Sequence, residues 1–185
     1  MSTTKNPWIV LKNETVYESN WIKVEKNEVI NPAGNDGIYS VVNFKNLAIG
    51  IIPLDENYHT WLVGQYRFPI ESYSWEIPEG GGDPTVDPKD SAKRELKEET
   101  GIVASEMTEI MRLHFSNSAT DELAIIFIAK GLSFESACPE ETEILQLKKV
   151  SLQEAFDLCL SGKITDAMSI AGILKTYHLR KENLI

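Results

Sequence analysis

Residues 80–102 of the chain read GGGDPTVDPKDSAKRELKEETGI. The glycine cluster at the start of this stretch predicts a loop, because successive glycines lose too much backbone entropy inside a helix or a strand. Asp87-Pro88 predicts the start of a helix, since Asp is a favoured N-cap and Pro is favoured at the first helical position. Gly101 predicts where that helix ends. The stretch therefore predicts a loop followed by one well-delimited helix.

Three glutamates of the predicted helix, Glu95, Glu98 and Glu99, lie three and four positions apart and so occupy one arc of its surface. Their charges repel one another, and they lie in the last turn, where the helix dipole is negative. A divalent cation would relieve both effects, since Mg²⁺ prefers carboxylate oxygens together with waters and substrate phosphates. A solvated helix face with ion pairs to Arg94 and Lys97 is the alternative. The glycine turn before the helix favours the metal site, because it lets a substrate approach the backbone closely.

The spacing of these residues resembles a known family pattern. Gly80, Arg94-Glu95-Leu96, Glu98-Glu99 and Gly101-Ile102 stand as in the Nudix box, written G-x5-E-x7-R-E-U-x-E-E-x-G-U with U aliphatic. The chain departs at one position, where Val86 replaces the first glutamate of the pattern. In the family that glutamate mainly supports the loop and the helix. The resemblance therefore implies a Nudix hydrolase with altered local rigidity rather than altered metal binding.

Three further segments resemble the ADP-ribose pyrophosphatase branch of this family. They are Val63-Gly64-Gln65-Tyr66-Arg67-Phe68, Trp75-Glu76-Ile77-Pro78-Glu79-Gly80 and Ser118-Ala119-Thr120-Asp121-Glu122. The resemblance implies an N-terminal β lobe over residues 1–45 and a Nudix hydrolase domain over residues 46–185. It also implies a homodimer that exchanges N-terminal strands, so that two chains build each site.

Hydrolysis of a phosphoanhydride requires neutralisation of the diphosphate, a water in line with phosphorus, and a proton acceptor. The resemblance assigns the first task to Mg²⁺, with Mn²⁺ as an alternative. It implies that this metal is held by the side chains of Glu95, Glu98 and Glu99 and by the backbone carbonyl of Glu79. Arg94 is expected to orient the glutamates rather than the substrate.

Arg67, at the end of a predicted strand, is the candidate for holding a substrate phosphate, because a guanidinium offers a planar fork to phosphate oxygens. A surface arginine without this role is the alternative. Gly80 and Glu122 are further expected substrate contacts, Gly80 through its lack of a side chain and Glu122 through the resemblance of its segment. An aromatic residue of the N-terminal lobe is expected to stack on the base, and the sequence does not single one out.

The resemblance places the catalytic base in a late loop, here residues 133–143, rather than in the box. Counting back from the strand predicted at Ile144 and the helix predicted at Ser151 matches Glu141 to the family's base. Glu140 and Glu143 remain alternatives. If none of the three is the base, Glu95 on the box helix is the next candidate.

The remaining segments predict a fold of the α/β (or α+β) class, because strands are mixed with three helices. The resemblance implies more narrowly an α/β/α sandwich with a mixed sheet and an N-terminal antiparallel β lobe. Strands are predicted at Trp21–Val24, Ile38–Val42, Leu47–Ile52, Trp61–Tyr66, Leu123–Ala129 and Ile144–Val150. Two more helices are predicted, one opened by a capping box at Ser151 and one beginning near Asp166.

Composition narrows the class of partner and the compartment. The formal net charge of −10 argues against nucleic acid, since backbone binding needs clustered Lys and Arg. No apolar run has the length of a membrane span, and the first eight residues lack the apolar core of a signal peptide. Cys138 and Cys159 show neither metal-binding nor redox spacing, which suits a reducing compartment. A cytoplasmic location is expected.

The leading functional hypothesis is hydrolysis of a nucleoside diphosphate sugar, with ADP-ribose giving AMP and ribose 5-phosphate. GDP-mannose or another nucleotide sugar is the alternative substrate. A nucleoside triphosphate or dinucleoside polyphosphate hydrolase is a second possibility within the same fold. A nucleotide-sugar sensor without turnover is a third, for which Val86 is the one hint and against which the three crowded glutamates argue.

Overall fold

The computed structural model of the protein describes residues 5–137 and 144–185, and the described chain divides into two compact units. The first unit runs to Asn46 and also includes Ser116–Glu122. Its strands β1 (Ile9–Glu18), β2 (Ile22–Ile30) and β3 (Asp36–Phe44) form one antiparallel sheet in the order β1-β2-β3. The later segment attaches to β3, because the amide of Phe44 donates to Asp121 Oδ1 at 2.7 Å.

The second unit contains two sheets built from the other seven strands. One sheet has the order β7-β4-β9-β8 and the other has the order β10-β5-β6. Strands β4 and β9 are parallel, whereas every other neighbouring pair is antiparallel, so the larger sheet is mixed. The strands are β4 (Leu47–Pro53), β5 (His59–Arg67), β6 (Ser72–Glu76), β7 (Glu79–Gly82), β8 (Ile102–His114), β9 (Leu123–Phe134) and β10 (Gln146–Ser151).

Three α-helices complete the described part of the second unit, and each begins at a residue whose side chain caps it. They are α1 (Pro88–Thr100), α2 (Leu152–Leu160) and α3 (Ala167–Lys181), capped by Asp87, Ser151 and Asp166. The predicted helix starts are confirmed, because these short polar side chains accept hydrogen bonds from the first turn. Within residues 5–137 and 144–185, none of the helices has the length and apolar character required to cross a membrane.

Alternating residues of β9 supply the cores on the two faces of the larger sheet. Ile125, Phe127 and Ala129 pack in a cluster with Ala92 and Leu96 of α1. The intervening residues of β9 pack with α2 and α3 in a second cluster that includes Ile164, Met168 and Ile173. Because successive side chains of a strand point to opposite faces, this sheet lies between α1 and the other two helices. The expected α/β sandwich with a mixed sheet is confirmed.

Sequence reasoning failed at the glycine cluster and at two strands. Gly80 to Gly82 were predicted as a loop but belong to β7, which pairs with Leu47–Gly50 of β4. Ladder hydrogen bonds offset the entropy cost of these glycines. At Gly80 there is also no room for a side chain, as described below. Strands β6 and β8 were not predicted. β8 pairs with β9, the next strand in the chain, and its preference for a strand depends on that partner and on the residues packed on each face.

Candidate active site

Helix α1 carries the glutamates of the sequence motif on its C-terminal half and gives each a different environment. Gly101 ends the helix with φ of 70°, and its amide donates to the carbonyl of Lys97 at 2.9 Å. Glu98 is exposed for 38% of its side chain, whereas the whole residue Glu99 is only 6% exposed. The predicted arc of carboxylates therefore runs from the protein surface into the interior.

Arg94 connects two of these glutamates to the neighbouring strand β7. Its Nη1 donates to Glu98 Oε2 at 2.7 Å, and its Nη2 donates to Glu95 Oε1 at 2.6 Å and to the carbonyl of Gly81 at 2.8 Å. One guanidinium thus offsets two carboxylates and fixes the helix to the strand. The role expected for Arg94, orienting the glutamates, stays a prediction that these contacts make possible.

Gly80 lies directly against the carboxylate of Glu95. A Cβ built on Gly80 would overlap the carboxylate carbon and both oxygens of Glu95. The close approach therefore requires glycine at this position of β7, and a side chain there would displace Glu95.

Glu99 holds the backbone at the start of β7. Its Oε2 accepts a hydrogen bond from the amide of Glu79 at 2.9 Å. A carboxylate at this depth is stabilised by such a charge-assisted bond. Glu79, whose backbone carbonyl is an expected metal ligand, therefore lies next to the buried carboxylate of Glu99.

Arg67, at the end of β5, is held by two carboxylates of its own chain. Its Nε donates to both oxygens of Glu76 at 3.1 and 3.0 Å, and its Nη2 donates to Glu76 Oε2 at 2.6 Å and to Glu79 Oε1 at 2.7 Å. Its side chain remains 35% exposed. Burial is the largest single cause and lowers the pKa of Arg67, but the hydrogen bonds to Glu76 and the charges of Glu79 and Glu76 together outweigh it. The pKa is therefore raised and the guanidinium stays charged.

The side chain of Glu79 lies in an environment that disfavours its charged form. Burial is the largest cause that raises its pKa well above the ordinary value, followed by the charges of Asp166 and Glu76, while Arg67 opposes the shift. Its Oε2 is buried and has no hydrogen-bond partner within the described residues. An uncompensated carboxylate oxygen of this kind is costly and suits a ligand-binding position.

Sequence reasoning missed Glu76, Asp166 and the Glu79 side chain as members of this cluster. The sequence signal for Glu76 was its place in the segment that resembles the ADP-ribose pyrophosphatase branch. Its burial to 3% exposure on β6 is visible only in the structure, where a buried acid indicates a function or a partner. Asp166 was recognised only as a helix start. Its proximity to Glu79 depends on where α3 packs, which no local pattern states.

The donor chemistry fits a hard divalent cation, because the region presents carboxylate oxygens and carbonyls. Within residues 5–137 and 144–185, no three acidic, histidine or cysteine side chains are already arranged to hold a metal. Two of the glutamates are instead engaged by Arg94, and Glu99 by the amide of Glu79. Mg²⁺ is commonly bound through one or two carboxylates with waters and substrate phosphates, so the donor set fits without a complete protein cage.

For two groups of residues that the sequence predicted as site residues, the described structure gives no contact with this site. Glu122 belongs to the first unit, in the segment Ser116–Glu122. Glu141 and its alternatives Glu140 and Glu143 lie outside the described residues. Val86 is 44% exposed in the turn that precedes α1, where its amide donates to the carbonyl of Asp83 at 3.0 Å.

Comparison with known proteins identifies relatives across nearly the whole chain. The chain is 28% identical, over 165 residues, to the methanol dehydrogenase activator of Bacillus methanolicus and to the ADP-ribose pyrophosphatase of Bacillus subtilis (strain 168). Each alignment covers 88% of this chain and 89% of the relative. A crystal structure of an ADP compounds hydrolase is 25% identical, covers 100% of both chains and gives a TM-score of 0.87.

Two sequence families match separate parts of the chain. Residues 8–42 match the nucleoside diphosphate sugar hydrolase N-terminal domain, and residues 44–169 match the NUDIX domain. The second match includes strand β7, helix α1, and Arg67 with its partners Glu76 and Glu79. The resemblance inferred from the box and from the N-terminal segment is thereby confirmed, and the chain belongs to the NUDIX hydrolase family.

Proposed function

We propose that the protein hydrolyses the pyrophosphate link of a nucleoside diphosphate sugar in the presence of Mg²⁺, with ADP-ribose as the first substrate to consider. The observation that carries this proposal is the placement of Glu95 against Gly80 and of Glu99 against the Glu79 backbone. It is supported by the match of residues 8–42 to the N-terminal domain of nucleoside diphosphate sugar hydrolases. The expected products are AMP and ribose 5-phosphate.

Four glutamates are the proposed ligands of the metal. Glu95, Glu98 and Glu99 supply carboxylate oxygens, and Glu79 supplies its backbone carbonyl. When bound, Mg²⁺ or Mn²⁺ supplies Lewis-acid neutralisation of the diphosphate. Arg94 hydrogen-bonds Glu95 and Glu98, so it would hold these carboxylates in place and share them with a bound cation.

Arg67 is proposed to contact a substrate phosphate while its own carboxylate partners hold it in place. Glu76 and Glu79 engage its Nε and Nη2, and Nη1 has no hydrogen-bond partner within the described residues. The fixed orientation reduces the entropy lost when an anion binds. Glu141 is proposed as the base that removes a proton from the attacking water, with Glu140 and Glu143 as the alternatives.

The proposed homodimer accounts for the unusual exposure of β1. This strand lies at the edge of its sheet, and its apolar residues Ile9, Val10, Leu11, Val16 and Tyr17 are each between 54% and 59% exposed. An exposed apolar edge strand is a template for pairing with another chain. We propose that residues 1–45 form this contact with a second copy by exchanging strands, so that both copies contribute to substrate binding. Glu122 is proposed as a substrate contact within that shared site.

Single charges on β1 test the proposed dimer. Ile9 and Val10 are neighbours on a strand and point to opposite faces. We expect at least one of Ile9→Lys and Val10→Lys to weaken dimerisation by on the order of 100-fold, because an unpaired charge would be buried at the contact. The measurement is light scattering after size-exclusion chromatography, with the KM for ADP-ribose measured in parallel. Glu14→Lys on the same strand is the charge control, and dimers of equal stability in all three variants would contradict the proposal.

The thiol of Cys159 and the net charge bear on the compartment and on the class of partner. Cys159 is partly buried, and burial raises the pKa of its thiol to about 11, so it is poorly reactive near neutral pH. The net charge of −10 disfavours nucleic acid as a partner. We infer a cytoplasmic protein with a small-molecule substrate.

A second candidate function is that of a nucleotide-sugar-binding regulator without turnover. Two observations favour it: Val86 replaces a glutamate of the box, and one relative is named as an activator of methanol dehydrogenase. The intact Glu95, Glu98 and Glu99 favour the hydrolase. The two functions differ in whether bound substrate is converted.

A substrate panel separates these functions. We expect ADP-ribose with Mg²⁺ to give AMP and ribose 5-phosphate in equal amounts, and we expect chelation of the metal to abolish the reaction. The panel adds GDP-mannose, other nucleotide sugars, nucleoside triphosphates and dinucleoside polyphosphates, with products resolved by anion-exchange chromatography. Tight binding without any product would favour the regulator, whereas preferred turnover of a triphosphate would contradict the nucleotide-sugar proposal.

A further inference from the structure

A buried serine of α3 contacts the backbone that leads into the glycine strand. Strand β6 ends at Glu76 and β7 begins at Glu79, so the link between them consists of Ile77 and Pro78. The amide of Ile77 donates to Ser169 Oγ at 2.9 Å, and both residues are 0% exposed. Proline has no amide hydrogen, so Ile77 carries the only backbone donor of the link. A buried donor needs such an acceptor.

Three successive residues of this segment are each held by a different element. α3 accepts from the amide of Ile77, the amide of Ile51 on β4 donates to the carbonyl of Pro78 at 2.8 Å, and Glu99 on α1 accepts from the amide of Glu79 at 2.9 Å. The Glu79 carbonyl follows directly after these three fixed groups. Its position therefore depends on all three elements, including α3.

The first turn of α3 has little room to shift. The amide of Ser169 donates to Asp166 Oδ2 at 2.7 Å, so the backbone of Ser169 completes the helix cap while its hydroxyl faces the link. A Cβ built on Gly50 of β4 would lie 2.8 Å from Met168 Sδ and 2.9 Å from Ile77 Cδ1. The helix, the link and β4 are thus in direct contact, and the hydroxyl is held at a defined position.

We propose that Ser169 is a positioning residue for the hydrolytic site, because its hydroxyl sets the Ile77–Glu79 backbone and thereby the Glu79 carbonyl offered to the metal. The inference rests on the proposed metal-dependent function. It assigns to α3, which carries none of the motif residues, an influence on metal affinity that acts through the Ile77–Glu79 backbone. A purely structural serine would affect unfolding and leave metal affinity unchanged.

The test compares metal binding with stability in matched variants. We expect Ser169→Ala to raise the Mn²⁺ dissociation constant, measured by electron paramagnetic resonance without substrate, by about 10-fold, as for other groups that support metal ligands. The Mg²⁺ concentration for half-maximal turnover should rise in parallel. Thr176→Val is the control, because Thr176 is a buried hydroxyl of the same helix whose Oγ1 has no hydrogen-bond partner within the described residues. This control should leave Mn²⁺ binding unchanged.

Ser169→Cys serves if the alanine variant does not fold, because a thiol is similar in size but a weak acceptor. Its Mn²⁺ affinity should lie between those of the parent protein and Ser169→Ala. Equal Mn²⁺ affinity in the parent and in the folded Ser169 variants would overturn the positioning role. A parent protein that binds Mn²⁺ yet hydrolyses no nucleotide would instead overturn the proposed function, so the two failures are distinguishable.

Discussion

Replacement of Glu99 by glutamine is expected to lower turnover of ADP-ribose by more than about 100-fold, since loss of a group that merely supports a metal ligand already costs 10- to 100-fold. The glutamine oxygen can still accept the hydrogen bond from the amide of Glu79, which lies 2.9 Å from Glu99 Oε2 in the structure. The fold and the Glu79 backbone should therefore persist. The substitution removes the negative charge that the proposed metal site requires.

The measurement is kcat and KM across a Mg²⁺ titration, together with thermal unfolding in the presence of a chelator. Without metal, Glu99→Gln should unfold at an equal or slightly higher temperature, because repulsion with Glu79 is reduced. Glu98→Gln should show the same direction of change in turnover. Glu106→Gln, on the exposed surface of β8, is the control for an altered net charge. Unchanged Mg²⁺ dependence in both the Glu98 and Glu99 variants would refute the metal assignment.

Glu141→Gln is expected to lower turnover by about 10²- to 10⁴-fold, the range typical of a general base, while metal and substrate binding stay nearly constant. A base takes a proton from water only during the chemical step, so kcat should fall with little change in KM. The loss should shrink as pH rises, because hydroxide partly replaces the missing base. Loss of a metal ligand would not be compensated in this way.

The neighbouring acids provide controls for this prediction. Glu140→Gln and Glu143→Gln remove the same charge from the same segment and should retain most of the turnover. If Glu143→Gln alone shows the loss that shrinks at high pH, the alignment of the late loop is wrong by two residues and the mechanism stands. Normal turnover in all three variants would exclude a base in this loop and would favour Glu95.

Local chemistry was sufficient to predict the helices. Asp87, Ser151 and Asp166 cap α1, α2 and α3 as their sequence positions predicted, and Gly101 ends α1 in a left-handed conformation. Caps satisfy amides within the next few residues, so the signal and its structural effect lie together in the sequence. The box spacing likewise predicted the family, because residues on one helix keep a fixed geometry.

The strands that the sequence did not predict depend on what lies beside them in the sheet. The glycines of β7 were predicted as a loop, yet Gly80 pairs with Ile49 and lies under the carboxylate of Glu95. Strand preference depends on what lies on the neighbouring strand and on each face, and a single sequence does not state either. β8 depends in the same way on its neighbour, although that neighbour, β9, is the next strand in the chain.

The sequence by itself determined the three helix starts, the end of α1, the family and the set of acids on α1, because each depends on residues a few positions apart. Only the tertiary structure decided that Arg67, Glu76 and Glu79 form one cluster and that Ser169 supports the link before β7. Ser169 and Ile77 are 92 residues apart, and their contact arises from the packing of α3 against β4. Such a contact depends on how a whole helix face is buried, and no single residue of the sequence indicates that packing.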